Sequence, residues 1–416
     1  MDKNHYSKKI YVAGHTGLVG SAIVRQLQHQ GYSNIITVSH SELDLTRQNQ
    51  VEQFFSSTRP DFVFHPAGKV GGIGANSTYP ADFMYENMMM GLNILHSSYR
   101  SGVKKLLFLG SSCIYPRLAP QPMVEDCLLT SSLEQTNEAY ALAKIGTLRY
   151  CTYLNRQYGT NFISVMPTNL YGPGDNYDPF NSHVLPALIR RFHDAKINGS
   201  PSVTCWGDGS PLREFLFVDD LAELCVYLME NYDAPSYLSY CASHGIAPNG
   251  ADSVSDTDAA RSSLSAGDEG KHPVVTDITD SAVIPTHSDC GDKLNGAGLA
   301  GTGNMAAGKG VADSGDGSVA GGCETINAGT GKEITIRDLT NLVARVVGYE
   351  GRIDWDTSKP NGTPRKLLDV SKAAKLGWKY KTELENGLRI TYADFVANYD
   401  RYCNKSRRQS TVPHQG

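Results

Sequence analysis

The chain has 416 residues, enough to bury the core of one large nucleotide-binding unit and a second, smaller lobe. A net charge of −5 with 19% charged residues removes the broad positive field that nucleic acid or an anionic membrane surface would need. Nine scattered cysteines without a CxxC pair argue against a disulfide framework and a zinc site, so no metal is expected and a reducing cytoplasm suits the chain. Residues 1–9 are polar and lead into no signal-type apolar stretch, and no run of about 18 apolar residues offers a membrane span.

The first apolar run, 10–13, is followed by Gly14-His15-Thr16-Gly17-Leu18-Val19-Gly20 and then by helical spacing over 21–29. Strand, glycine turn and helix in this order suit a dinucleotide. The glycines let the backbone turn tightly and approach a pyrophosphate, whose charge is met by the helix N-terminus. The second run, 35–38, ends without the acidic residue that clamps the ribose diol of NAD; Ser39 and His40 stand there instead. That tilts the expected cofactor toward NADP(H), with His40 answering a 2′-phosphate when protonated and Ser39 donating a hydrogen bond, although no arginine for that phosphate is evident. Asp44 is placed to meet the adenine amino group.

Runs at 62–64, 106–109 and 162–166 alternate with longer stretches of helical period, which predicts an α/β fold: a Rossmann-type parallel sheet with helices on both faces, over residues 1–170 with some later segments returning to it. After the fourth run comes Leu109-Gly110-Ser111-Ser112-Cys113-Ile114-Tyr115, where the carboxyl ends of parallel strands line a ligand crevice. Tyr140-Ala141-Leu142-Ala143-Lys144 puts a phenol and an ammonium on one helix face, one turn apart. The ammonium is expected to lower the phenol's pKa and so fit it to protonate a reduced carbonyl oxygen.

Turn-rich segments and short helices such as 184–193 then predict a smaller substrate-binding lobe, mainly from 171–241 and 324–400. Residues 242–323 contain no Phe, Tyr or Trp and are dominated by glycine, alanine, serine and aspartate, so they read as a disordered insertion. A helix is expected over 336–347 and a loose tail over 401–416.

With these elements in place the chain resembles the extended short-chain dehydrogenase/reductases and, within them, the GDP-L-fucose synthases. The segments that carry the likeness are Lys69-Val70-Gly71-Gly72-Ile73, 111–116, Pro167-Thr168-Asn169-Leu170-Tyr171-Gly172-Pro173, Asn181-Ser182-His183, Arg213-Glu214-Phe215 and 354–369. The resemblance implies that Ser111, Tyr140 and Lys144 are a reductase triad and that Cys113 and His183 move protons during epimerisation. Chemistry agrees: inverting a carbon beside a ketone needs a base on one face of the sugar and an acid on the other. It further implies cofactor contacts from 14–20, His40, Asp44, Leu109, Gly110, Ser111, Ser112, Tyr140, Lys144, Pro167, Thr168, Asn169, Leu170 and His183. Asn169, Arg191, Trp206, Arg213 and Lys359 or Arg365 are implied for the GDP-sugar, with Arg190 the alternative to Arg191, and the assembly implied is a homodimer. The competing readings are another nucleotide-sugar epimerase or reductase of the same class, and, more remotely, a non-catalytic nucleotide-binding regulator.

Overall fold

Successive side chains of a strand point to opposite faces, so an uninterrupted apolar run is stable only where both faces are covered. In the computed structural model, which describes residues 7–179, 181–248, 325–359 and 361–403, the first half of the chain meets that condition. Six parallel strands, β1 (Ile10–Val12), β2 (Ile35–Ile36), β3 (Phe62–His65), β4 (Lys105–Leu109), β5 (Phe162–Pro167) and β9 (Thr325–Ala328), lie in the order β2-β1-β3-β4-β5-β9. Tyr11, Leu106 and Phe108 turn to one side and pack with Phe55, Ile94 and Leu148 of helices α2 (Gln48–Thr58), α4 (Pro80–Arg100) and α5 (Glu138–Tyr158). Ile10, Val12, Leu107 and Leu109 turn to the other and pack with Ile23, Leu221 and Leu224 of α1 (Leu18–His29) and α7 (Val218–Asn231). The predicted α/β class holds, with helices on both faces. The strand order reverses between β1 and β3, and in such sheets the crevice outside the carboxyl ends at that point receives the ligand.

A third core, with Tyr177, Phe192, Phe215, Leu339 and Phe395, fills the smaller lobe. Its centre is β8 (Leu212–Phe217), paired with β6 (Asn169–Tyr171), β10 (Glu333–Thr335) and β12 (Arg365–Lys366). A parallel pair, β7 (Ser202–Trp206) and β11 (Arg352–Asp356), and helices α6 (Val184–Ile197), α9 (Ile336–Val347) and α11 (Leu384–Ala397) complete it. The predicted helix over 336–347 is α9.

Later segments return to the first unit: α7 covers the six-stranded sheet and β9 is its edge strand, because the short run Thr325–Ala328 is buried at all four positions. Two boundaries differ from the sequence expectation. The low-complexity segment does not begin at 242, since α8 (Pro235–His244) continues through it with Cys241 buried, and Gly245 then closes the helix with φ of 66°. The rest of that segment, from 249, lies outside the described residues. The tail is not loose at its start either. The Tyr402 hydroxyl donates to Asp394 at 2.6 Å and accepts the Gly174 N–H at 3.1 Å; 404–416 lie outside the described residues.

Glu214 and Asp175 are buried carboxyls in two different settings. Glu214 on β8 is wholly buried and accepts the backbone N–H groups of Thr330 (2.6 Å), Gly331 (2.7 Å) and Leu368 (3.0 Å). Burial pushes its carboxyl above the ordinary range while those three donors pull it down. Asp175, in the loop after β6, accepts the Asn176 N–H through one oxygen and buries the other without a partner, so burial pushes its carboxyl up to about 7. The backbone of the same loop is held by Arg190, whose guanidinium donates to the Tyr177 carbonyl at 2.8 Å.

Glu214→Ala leaves buried N–H donors on two separate segments without an acceptor, at about 1–3 kcal/mol each. Urea unfolding should therefore place this variant at least about 3 kcal/mol below the parent. For Asp175 the folded pKa of about 7 lies above the unfolded value of 3.8, so the folded state holds a proton that the unfolded chain releases between them. Stability from this group is present below pH 4 and is lost as pH rises to 7. Asp175→Asn should flatten that loss, read as urea midpoints at pH 5 and pH 8.

Candidate active site

The glycine turn after β1 is built for a close backbone approach. Gly14 has φ of 78°, and a Cβ there would lie 2.9 Å from the Cα of Ala67 in the loop after β3. A Cβ on Gly20 would come within 2.1 Å of the Gly14 carbonyl, so α1 starts hard against the turn. Gly17 caps α1, and Leu18 and Val19 open it, with their N–H groups among those a helix leaves unpaired. His15 buries Nδ1 without a partner beside this cradle. An orphaned nitrogen, a glycine cradle and a helix N-terminus together fit a dinucleotide pyrophosphate.

At the adenosine end the structure rearranges the expectation. The Ser39 hydroxyl is already committed to Glu42, at 2.6 Å, and the Ser39 N–H donates to the same carboxylate. His40 is exposed. Asp44 accepts from the Thr46 N–H and hydroxyl, which hold its carboxyl below the usual range. Arg47, which the sequence reading passed over, lies 3.5 Å from Asp44 and is largely exposed. Its signal was only a cation in the turn before α2.

The reactive groups converge at the carboxyl ends of β4 and β5. Ser111 ends the β4 run in extended backbone, and its Oγ accepts the Cys113 N–H at 3.2 Å, which starts a single 3₁₀ turn over Ser112–Ile114. Gly110 is required there, since a Cβ would lie 2.2 Å from Met166 Sδ on β5. Tyr140 and Lys144 come from α5, and both are buried. The Lys144 ammonium donates to the Leu109 carbonyl at 3.0 Å and sits 4.9 Å from the Phe108 ring centre and 5.8 Å from that of Tyr140. Burial lowers it to about 8.

The phenol departs from the expectation. Burial, and then the charge of Cys113, hold Tyr140 above the ordinary tyrosine range, while hydrogen bonding by Ser111 pulls it down. Lys144 is not among the groups that shift the phenol; its ammonium is bonded to the Leu109 carbonyl. Tyr140 is therefore a protonated hydroxyl, the form a proton donor needs.

His183 caps the N-terminus of α6, beside the loop after β3: the Gly72 N–H donates to the Asn181 carbonyl at 3.2 Å, and a Cβ on Gly72 would lie 3.1 Å from the Ser182 carbonyl oxygen. Its side chain is exposed, yet desolvation by the protein around it and then the Lys366 ammonium hold the imidazole below the usual histidine value. Cys113 is half-buried, and its thiol is shifted down. Burial opposes this, but Lys366, the Ser111 hydroxyl and Arg213 together prevail. Lys366 Nζ lies 3.4 Å from Cys113 Sγ.

The proposed substrate side chains fall into two groups. Trp206 is exposed at the end of β7, with Lys359 Nζ 5.8 Å from its ring centre. Arg191 reaches the same strand, donating to the Thr204 carbonyl at 2.9 Å, whereas Arg190 is turned to Tyr177; this separates the two arginines that helical phase left open. Asn169 donates to the Glu214 carbonyl at 2.9 Å, and Thr168 to the same oxygen at 3.2 Å, next to Pro167 and Leu170 at the β5 end. Arg365 is not in the cleft group. Alternation along β12 turns it to Glu333 at 2.7 Å and turns Lys366 to Cys113 instead. Both stood in one quoted segment, and only strand register separates them.

Among the described residues no helix is long and apolar enough to cross a membrane, and no cluster of His, Cys, Asp and Glu is arranged to hold a metal. Residues 10–240 match the NAD dependent epimerase/dehydratase family. The chain is 46% identical over 399 residues to GDP-L-fucose synthase 1 of Arabidopsis thaliana, covering 96% of this chain and 95% of that protein. It is 42% identical over 395 residues to the GDP-L-fucose synthase of Escherichia coli K12, covering 95% and 98%. A solved GDP-mannoheptose C4 reductase from Campylobacter jejuni with NADP bound shares the fold with a TM-score of 0.68 at 29% identity, over 94% of this chain and 99% of that one. The family match over more than half of the chain and these near-full-length relatives place the chain in the NAD dependent epimerase/dehydratase family, among its GDP-L-fucose synthases.

Proposed function

We propose that the chain converts GDP-4-keto-6-deoxy-D-mannose to GDP-L-fucose, inverting C3 and C5 and then reducing C4 with NADPH at one site. The observation that carries this reading is the Cys113 thiol, held low by Lys366 and Arg213 two residues from the reductase serine. A reductase alone has no use for such a base. NADPH, when bound, supplies the hydride; Gly14, His15, Thr16, Gly17, Leu18, Val19 and Gly20 would hold its pyrophosphate, Arg47 offers positive charge at the adenosine end, and the His40 ring offers a hydrogen bond there.

The chain's own groups divide the remaining work. Cys113 takes the proton beside the ketone, and the electron pair moves into an enolate whose oxygen is met by Ser111 and Tyr140. His183, when protonated, returns a proton from the opposite face. Tyr140 gives its proton to the C4 oxygen on reduction, and Lys144 lies one helical turn away from it. Arg191, Arg213, Trp206, Lys359 and Asn169 are the side chains for the GDP-sugar: a guanidinium donates paired bonds to phosphate oxygens, and an exposed indole offers a stacking face.

The chain pairs with a second copy through α4 and α5. Tyr85 and Met84 on α4, and Leu142 and Tyr153 on α5, are exposed on two helices already packed side by side, and exposed apolar side chains on adjoining helices suit a two-fold interface. The described cysteines are free thiols, which suits a cytoplasmic enzyme.

Purified protein given the keto sugar and NADPH should lose absorbance at 340 nm and yield GDP-L-fucose; a cofactor that stays reduced would refute the assignment. Cys113→Ser should lower turnover by about 10²- to 10⁴-fold, with NADPH binding by fluorescence retained. Tyr85→Glu combined with Tyr153→Glu should convert the sedimenting species to a monomer.

A further inference from the structure

Among the charged side chains not named by the chemistry above as acting on substrate, Lys366 is the one placed at its centre. It lies on β12, which pairs in parallel with β8: the Leu212 N–H donates to the Pro364 carbonyl at 2.9 Å. On the other side of Lys366 the chain is held three times. The Leu367 N–H donates to Gln121 Oε1 at 2.8 Å, the Met123 N–H to the Leu367 carbonyl at 2.8 Å, and the Leu368 N–H to buried Glu214 at 3.0 Å. A lysine is a flexible point charge, so its placement depends on how firmly its backbone is held. Here that backbone is fixed on both sides, and the ammonium rests 3.4 Å from Cys113 Sγ.

We infer that Lys366, seated 3.4 Å from the Cys113 sulfur, is the positioning residue that holds an ammonium against that sulfur while the sugar's C3 and C5 protons are removed. This rests on the reading of Cys113 as the base. The groups that face the sulfur are Lys366 from β12, Arg213 from β8, the Ser111 N-cap and Tyr140 from α5, and Lys366 also acts on His183 at the start of α6. Of the two cations, Lys366 is the one bonded to sulfur; Arg213 donates to the Leu212 carbonyl at 2.8 Å. The proton inventory closes without another reagent. The thiolate forms an S–H bond as the C–H bond breaks, the pair enters the enolate, His183 supplies the opposite-face proton, and the site resets as the thiol releases its proton to solvent and His183 takes one up from it. Desolvation and the same ammonium both disfavour positive charge on His183, so its protonated form is a stronger acid than an ordinary imidazolium.

The test is iodoacetamide alkylation of Cys113 followed by peptide mass spectrometry from pH 5 to 10, which needs no sugar and separates this thiol from the others. In the parent protein the rate should rise at a pH below that of an ordinary thiol. Lys366→Met should move the rise to higher pH, Lys366→Arg should restore it in large part, and Arg365→Met, on the opposite face of the strand, should leave it in place. Solvent-deuterium incorporation at C3 and C5 should fall by about 10- to 100-fold in Lys366→Met at pH 7 and recover as pH is raised, which a merely structural loss would not do. If Lys366→Met unfolds, Lys366→Gln serves the same comparison. An unmoved alkylation profile in the folded variant, or an equal shift in Arg365→Met, overturns the inference. A shifted profile in a protein whose Cys113→Ser variant still exchanges C3 and C5 protons would instead sink the assignment of Cys113 as base.

Discussion

The buried carboxylate of Glu214 holds the catalytic end of this fold together. It sits in the middle of β8, and the backbone N–H groups it collects come from the turn after β9 and from the residue two places beyond Lys366. A carboxylate accepts several bonds at once and is costly to bury without them, so the segments that supply donors are bound to the same point. Both of those segments lie beyond residue 324, and β8 precedes the low-complexity stretch. Asn327 adds a second tie of the same kind: it accepts from the Tyr115 hydroxyl at 2.5 Å and donates to the Met123 and Asp369 carbonyls. Together they fix the distance between the 3₁₀ turn that carries Cys113 and the strand that carries Lys366.

The chemistry follows from unequal environments for groups that are close neighbours. Burial alone would raise every neutral acid and lower every cation here, and it does so for Tyr140 and Lys144. Cys113 escapes because two cations face it, so a thiol with lowered pKa and a firmly protonated phenol share one cleft and one serine between them. Proton removal and proton donation can then proceed at one site without either group taking over the other's task. The thiolate and the phenol also constrain one another, since the charge on sulfur is among the causes that keep Tyr140 protonated.

The six-stranded core was legible because each of its strands except β9 is an apolar run bounded by turn residues, and the Tyr140 and Lys144 pair because helical spacing is local. β9 was hidden: four residues at the end of an aromatic-free stretch carry no period long enough to read, and they are a strand only because β5 and α7 are there to bury them. The tyrosine's environment was misjudged for a similar reason. Spacing put an ammonium one turn away, but could not reveal that the Leu109 carbonyl holds it.

The sequence by itself determined the fold class, the glycine cradle, the reductase group and the candidacy of Cys113 and His183, because these depend on residues near in the chain or on long family-like segments. Tertiary structure decided where each member of an adjacent pair points: Arg191 to the Thr204 carbonyl and Arg190 to the Tyr177 carbonyl, Lys366 to the Cys113 sulfur and Arg365 to Glu333. Neighbouring side chains differ only in the direction they point. On helix and strand alike, that direction is set by which face the distant packing partners cover.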